Sequence, residues 1–431
     1  MKLALQALGA ILAFAPAVAW AQGRAWADPQ GVFMDDDGVL RRREKDDTDR
    51  LAEIRKRAAG KEKDGQLVYV SLPRVLAEAK KCLDAGQPIP DKLRYLGGMT
   101  RLQYVFVYPD EGDIVIAGPA EPFDTKVPYR PLGEKTGRPV IHLDDLVTAM
   151  RAAGPGQKPQ RIGCDIEVTK EIAERCAAKL KEVAPKAQEM GVQKAAEEIA
   201  KAGGNQAILY YTIPQNSRFA FVCAEADYLL KQLALGLYKS PVSKVRSYND
   251  MITKPERHHR FSLESQYDSL LVSADGNAYE FRGPSLKVNT GLLQRLGQQD
   301  GEVSPAAQKF MDGCNKNWDE MSRGILSWSD LANLGDLTVL AALIGKDQLH
   351  TKSKWDIAWV MDPNGYPVKP IDSPKSAHRL CNYHYGGNML LFTHGGVLIN
   401  PQEWAAKQVK DDEGKFKRPT RPDGEVWIPT K

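Results

Sequence analysis

The residues best suited to chemistry by type and spacing are His378, Cys381 and His384, set as His-x-x-Cys-x-x-His, with His394 further along the chain. Imidazole and thiolate are good ligands for zinc or copper, and donors so close in sequence can meet in one loop. The spacing is not that of a standard zinc finger and no Cys-x-x-Cys accompanies it. A disulfide at Cys381 with surface histidines is therefore the simpler reading, and zinc the sharper one. A nucleophilic reading uses Cys381 or Cys223 with a histidine as base, a pairing that is decided in space rather than in sequence. Tryptophans offer a third chemistry, since Trp318, Trp328, Trp355, Trp359, Trp404 and Trp427 all fall in the last third of the chain. Exposed, they make platforms for sugar or peptide ligands; buried, they fill the core. Trp355 and Trp359 read as one face of a strand within residues 354–361, so the core comes first for them and ligand binding second.

The chain that must position these groups has 431 residues, 42% hydrophobic and 26% charged, an ordinary globular composition long enough for two or three domains. Its start, Met1-Lys2 followed by an apolar run and Ala19-Trp20-Ala21, reads as a secretory signal peptide cleaved after Ala21. Pro16 and the short run argue against a retained membrane anchor. No later segment is long and apolar enough to span a bilayer, and the mature protein is expected in the periplasm or secreted. The net charge of +4 is interleaved along the sequence, which excludes the concentrated basic face that nucleic-acid binding needs. An exported chain with six cysteines is expected to carry disulfides, although Cys176 and Cys223, on apolar helix faces, read as buried free thiols.

The clearest element is residues 217–237, where Phe219, Val222, Cys223, Ala226, Leu229, Leu230, Leu233 and Leu237 form one apolar arc at 100° per residue, with Asp227 on its flank. Ser217 or Asn216 can cap this helix, and the strand 207–213 precedes it. Residues 102–108 and 114–117 predict a β-hairpin, as do the two runs around Asp275-Gly276. Residues 138–150 read as a strand entering a helix. Residues 169–202 predict two charged helices ended by Gly203-Gly204. Residues 328–344 are apolar nearly all round, a helix buried on most sides, in which Asn333 and Asp336 need internal partners. The fold class is α+β, with mixed or antiparallel sheets, packed helices and two subdomains. The segments are a signal peptide (1–21), a charged exposed arm (22–65), an N-terminal α/β part (66–152), a linker with a charged helical hairpin (153–206), a central α/β region (207–350) and a β-rich C-terminal part (351–431).

Leu102-Gln-Tyr-Val-Phe-Val, Ala117-Gly-Pro-Ala-Glu121, Ala226-Asp-Tyr-Leu-Leu-Lys231, Tyr267-Asp268 together with Gly276-Asn-Ala-Tyr-Glu-Phe-Arg-Gly-Pro284, residues 336–344 and Gly395-Gly-Val397 carry a resemblance. Together they resemble DUF1598, a domain of unknown function in exported proteins typical of planctomycete bacteria. The chain departs from that pattern at Leu229-Leu230 and near His258-His259. The resemblance implies export and layout but no catalytic residue. Within the family-like stretches, Asp227, Asp268 and Glu280 are the carboxylates for an acid–base reading, which requires a cleft and shifted pKa values. An i,i+4 ion pair with Lys231 is the simpler account of Asp227. Tyr228 is the remaining candidate for binding. The function expected is that of an exported cell-envelope binding or structural component, whose partner is another envelope protein or a glycan. The alternative is an envelope hydrolase with a Cys/His or carboxylate site, and zinc is the one cofactor suggested.

Overall fold

The computed structural model describes residues 27–28, 32–42, 65–127, 129–166, 168–254, 259–292, 302–384, 389–411 and 413–421. The expected signal peptide, most of the charged arm and Trp427 lie outside these residues, as does the side chain of His384.

The fold class is α+β, as the sequence predicts. Among the described residues, the larger sheet has nine strands in the order Ala27–Asp28, Val32–Met34, Val39–Arg42, Ser376–His378, Asn205–Tyr211, Ile162–Ile166, Gly396–Ile399, His259–Gln266 and Ser285–Leu292. The smaller has six: Gln408–Lys410, Ser269–Val272, Ala278–Arg282, Tyr104–Tyr108, Asp113–Ala120 and Gln66–Ser71. Both sheets are mixed, with antiparallel ladders except at pairs such as Leu263↔Val397 and Leu270↔Gln408. Both predicted hairpins form, Tyr104 facing Ala117 in one and Ser269 facing Arg282 in the other.

Helices begin where short polar side chains can accept the first free backbone N–H groups. Ser71, Thr169, Ser217 and Ser304 each cap a helix in this way. The helix Arg218–Ala234 packs on three central strands of the larger sheet and on the long helix Leu326–Lys346. The sequence places one polar flank on this helix, yet every residue from Arg218 to Ala234 is buried. A helix enclosed by a sheet on one side and helices on the other has no face left for water, so its polar members must find internal partners. The Leu326–Lys346 helix is in turn covered by Leu143–Ala153 and Pro401–Ala406. The charged hairpin of Lys170–Val183 and Val192–Gly203 packs against itself over a small separate core that includes Cys176, Ile199 and Cys381.

Two local expectations are corrected. Residues 354–361 form no strand: Trp355 lies in a loop and Trp359 in the short helix Ala358–Met361. Ahead of the helix Leu143–Ala153 there is likewise no strand, only an isolated bridge between Leu132 and Pro139.

Twice the chain leaves one large sheet for the other at nearly the same place. The strand His259–Gln266 of the larger sheet passes through Tyr267 and Asp268 into Ser269–Val272 of the smaller. Ala278–Arg282 of the smaller then returns through Gly283 and Pro284 to Ser285–Leu292 of the larger. The Asp268 N–H bonds to the Arg282 carbonyl at 2.9 Å and ties the crossings together.

Candidate functional site

At these crossings a cleft of ≈ 430 Å³ opens, within the range of roughly 300–1,000 Å³ usual for small-ligand sites. The return crossing makes one wall. Gly283 has φ +100°, and a Cβ there would lie 2.4 Å from the Asp268 nitrogen, so only glycine permits this approach. Ser285 follows with φ +66°, a left-handed conformation that a side chain disfavours. The Arg101 guanidinium donates to the Gly283 carbonyl and holds the wall in place. Opposite stand Arg138, which pairs with Asp319 at 2.7 Å, and Trp318, stacked on Trp328 at 5.5 Å between ring centres.

The floor comes from the long buried helix. Its position Asn333 donates to the Pro139 carbonyl at 3.2 Å, and one turn on, Asp336 Oδ1 accepts from the Tyr267 hydroxyl at 2.8 Å. The internal partners that the sequence demands for these two residues are therefore present. Asp336 Oδ2 and Ser285 Oγ, both in fully buried residues, make no hydrogen bond of full geometry among the described residues, although the Ser285 hydroxyl lies close enough to the Asp336 carboxyl to favour its charge. Burial pushes the Asp336 carboxyl up to about 6, against the pull of Arg101, Ser285 and Tyr267. Buried polar atoms short of a full hydrogen bond are uncommon, and here two meet at the bottom of the cleft. The arrangement offers an acceptor and a hydroxyl at the floor, a charged rim in Asp268, Lys316 and Asp319, and an aromatic wall.

The residues singled out from sequence are scattered. Asp268 is exposed at the cleft rim. Asp227 is fully buried beneath the larger sheet, ion-paired with Lys231, whose ammonium also donates to the Gly395 carbonyl at 3.1 Å. Burial pushes Asp227 up to about 6, with Lys231 acting against it. Tyr228 is buried too, its hydroxyl donating to the His378 carbonyl at 3.1 Å. Glu280 forms an ion pair with Arg282 at 2.5 Å on the smaller sheet. Trp355 is buried, and Trp359 is half-buried against Tyr366.

The six cysteines are all free, which corrects the expectation of disulfides. They sit on separate elements, and an even count carries no information about distance. Cys381 is buried against the helical hairpin, donating its thiol to the Ala196 carbonyl at 2.8 Å, and burial pushes the thiol up to about 12. A protonated, enclosed thiol is a poor nucleophile and a poor metal ligand. His378 is half-buried, held below its ordinary value by burial and by Arg41 and Lys201. Among the described residues no group of three His, Cys, Asp or Glu side chains is placed to hold a metal ion.

Sequence reasoning missed a buried charge cluster around the central helix. Arg130 reaches Glu225 at 2.5 Å and Asp330 at 2.8 Å, and Arg218 reaches Asp330 at 2.5 Å and also binds Asp145. Each guanidinium thus bridges two carboxylates without solvent. Beside it a pocket of ≈ 280 Å³ contains His142 and Asp145. Burial pushes Asp145 up to about 7, and burial with Arg218, Arg130 and Arg94 holds His142 well below its ordinary value. Arginines and carboxylates so far apart in sequence leave no pattern by which to pair them.

The central helix with the strands before it is also where the chain matches known sequences. Residues 164–248 match the DUF1598 family, proteins of unknown function. No curated protein and no solved structure matches the chain. The DUF1598 match covers the last three residues of the strand Ile162–Ile166, the helical hairpin, the strand Asn205–Tyr211 and the whole buried helix with Glu225, Asp227 and Lys231. It therefore covers a packing centre, while the cleft lies outside it, formed by residues before and after.

Proposed function

We propose that this protein is an exported binding component of the cell envelope that takes a hydroxyl-rich ligand, the end of a glycan, in the cleft at the two sheet crossings. The observation that carries the reading is a cleft walled by Trp318 and Arg101, rimmed by the exposed Asp268, Lys316 and Asp319 and floored by the buried Ser285 and Asp336. Exposed carboxylates and an ammonium at the rim gain from a ligand that carries O–H groups, since sugar hydroxyls donate to the former and accept from the latter. The charged rim suits the outer hydroxyls, and an indole wall suits a sugar's apolar face. Export is supported by the signal-like first residues.

The alternative, a carboxylate hydrolase, draws on Asp336 and Asp268 lining the same cleft. Binding is favoured because Asp336 is sealed from solvent and held by Tyr267, a posture for hydrogen bonding rather than for moving protons to and from water. Tryptophan fluorescence titrated with N-acetylglucosamine oligomers tests the reading. Saturable change in the native protein, weakened in Asp268→Ala, supports it. Release of shorter sugars from those oligomers supports the hydrolase instead, and no change with any oligomer rejects the glycan ligand.

A further inference from the structure

We propose a second site, for a small tetrahedral oxyanion of the phosphate type, where the helical hairpin meets the strand Ser376–His378. A pocket of ≈ 220 Å³ there is lined by Arg41, Arg42, Lys201, His378 and Arg379, with Glu197 as its acidic lining residue. Arg379 is the centre of the argument. It is 5% exposed, and its Nε and Nη1 have no hydrogen-bond partner. The guanidinium carbon lies over the Phe392 ring, 4.4 Å from its centre, and that contact gives Nε and Nη1 no hydrogen-bond acceptor among the described residues. An arginine stays charged in a protein, so burying it without a counter-ion is costly, and a bound anion removes that cost.

The neighbouring thiols do not supply the negative charge. Cys381 donates to the Ala196 carbonyl at 2.8 Å and Cys176 to the Ile199 carbonyl at 3.6 Å, so each carries its proton. Arg41 is paired with Asp35 at 2.5 Å and Lys201 with Glu198 at 3.5 Å, both near the surface. The position is built for the arginine, because a Cβ on Gly203 would come within 2.7 Å of both Arg379 Cδ and Cys176 Sγ. Gly203 and Lys201 lie within the DUF1598 match, whereas Arg379 lies beyond it. Phosphate oxygens can accept charge-assisted bonds from the guanidinium, and the volume admits the ion with water around it.

The shared chemistry is the oxyanion, whether free or on a lipid headgroup, and the test separates the two. Isothermal titration of the full chain with inorganic phosphate is set beside flotation with phosphatidylglycerol vesicles, using Arg379→Met and the rim variant Lys201→Gln. Saturable phosphate binding, weakened roughly ten- to hundredfold by Arg379→Met and less by Lys201→Gln, assigns a free oxyanion. Vesicle binding alone, with the same losses, assigns a lipid headgroup. Should Arg379→Met fail to fold, the Lys201→Gln comparison still decides. Binding of neither probe, or binding that neither variant weakens, overturns the site.

Discussion

Replacing Asp336 by asparagine should stabilise the protein in a pH-dependent way. The Asp336 carboxyl moves from its ordinary 3.8 to about 6 because it is buried, so the folded chain holds a proton there that the unfolded chain releases. Stability from this group is greatest below the unfolded value and falls as pH rises towards the folded one; above about 6 the penalty is complete. A rise of that size corresponds to roughly 3 kcal/mol. Asparagine keeps an oxygen for the Tyr267 hydroxyl, which now bonds to Oδ1 at 2.8 Å, and its amide can donate to the Ser285 hydroxyl, which now lies against the carboxyl. Urea denaturation should therefore show Asp336→Asn more stable than the native chain by up to about 3 kcal/mol near pH ~8 and by only about 1 kcal/mol near pH ~4.5. A variant less stable than the native chain at the higher pH, or a difference that does not change with pH, would refute the assignment of an unsatisfied buried carboxylate.

Three further outcomes are expected. Thiol titration with a chromogenic disulfide should label Cys82 fastest in the folded protein and all six cysteines after unfolding without reductant; fewer than six would mean disulfides. Glu225→Met removes one of the two carboxylates on buried Arg130 and leaves Asp330 to serve both Arg130 and Arg218, which should lower unfolding free energy by about 3 kcal/mol in urea melts, and a change below about 1 kcal/mol would show that the cluster tolerates the loss. Gly395→Ala should cost at least about 2 kcal/mol, measured the same way, since the residue has φ +139° and the new Cβ would lie 1.6 Å from the Phe261 carbonyl oxygen; a neutral change would contradict the strand packing at that point.

What could be read from the sequence was whatever a short window carries. The Ser217 cap, the helix it opens, the Asp227–Lys231 pair one turn apart and the hairpin at Asp275-Gly276 all express local spacing, and all are present. So was the demand that Asn333 and Asp336 find partners inside the protein. Trp355 and Trp359 misled because positions four apart share a face in a helix as well as in a strand, and the period alone does not decide between them. The cleft was illegible for a different reason. It assembles Arg101, Asp268, Ser285 and Asp336 from segments that meet only because the chain changes sheets twice, and no sequence window spans those crossings. Asp268 and Gly283 stood in family-like stretches, but their role in shaping a wall depends on a close approach that only coordinates reveal. Arg379 gave no signal either, since its oddity lies in the carboxylate it lacks.

The central claim is that the crossing cleft holds a hydroxyl-rich ligand between its charged rim and the Trp318 wall. A crystal structure of the protein soaked with N-acetylglucosamine disaccharide tests it most directly. The account predicts a sugar in that cleft with hydroxyls within hydrogen-bond distance of the rim groups Asp268, Lys316 or Asp319. A sugar bound elsewhere, or an empty cleft at saturating ligand, would contradict it.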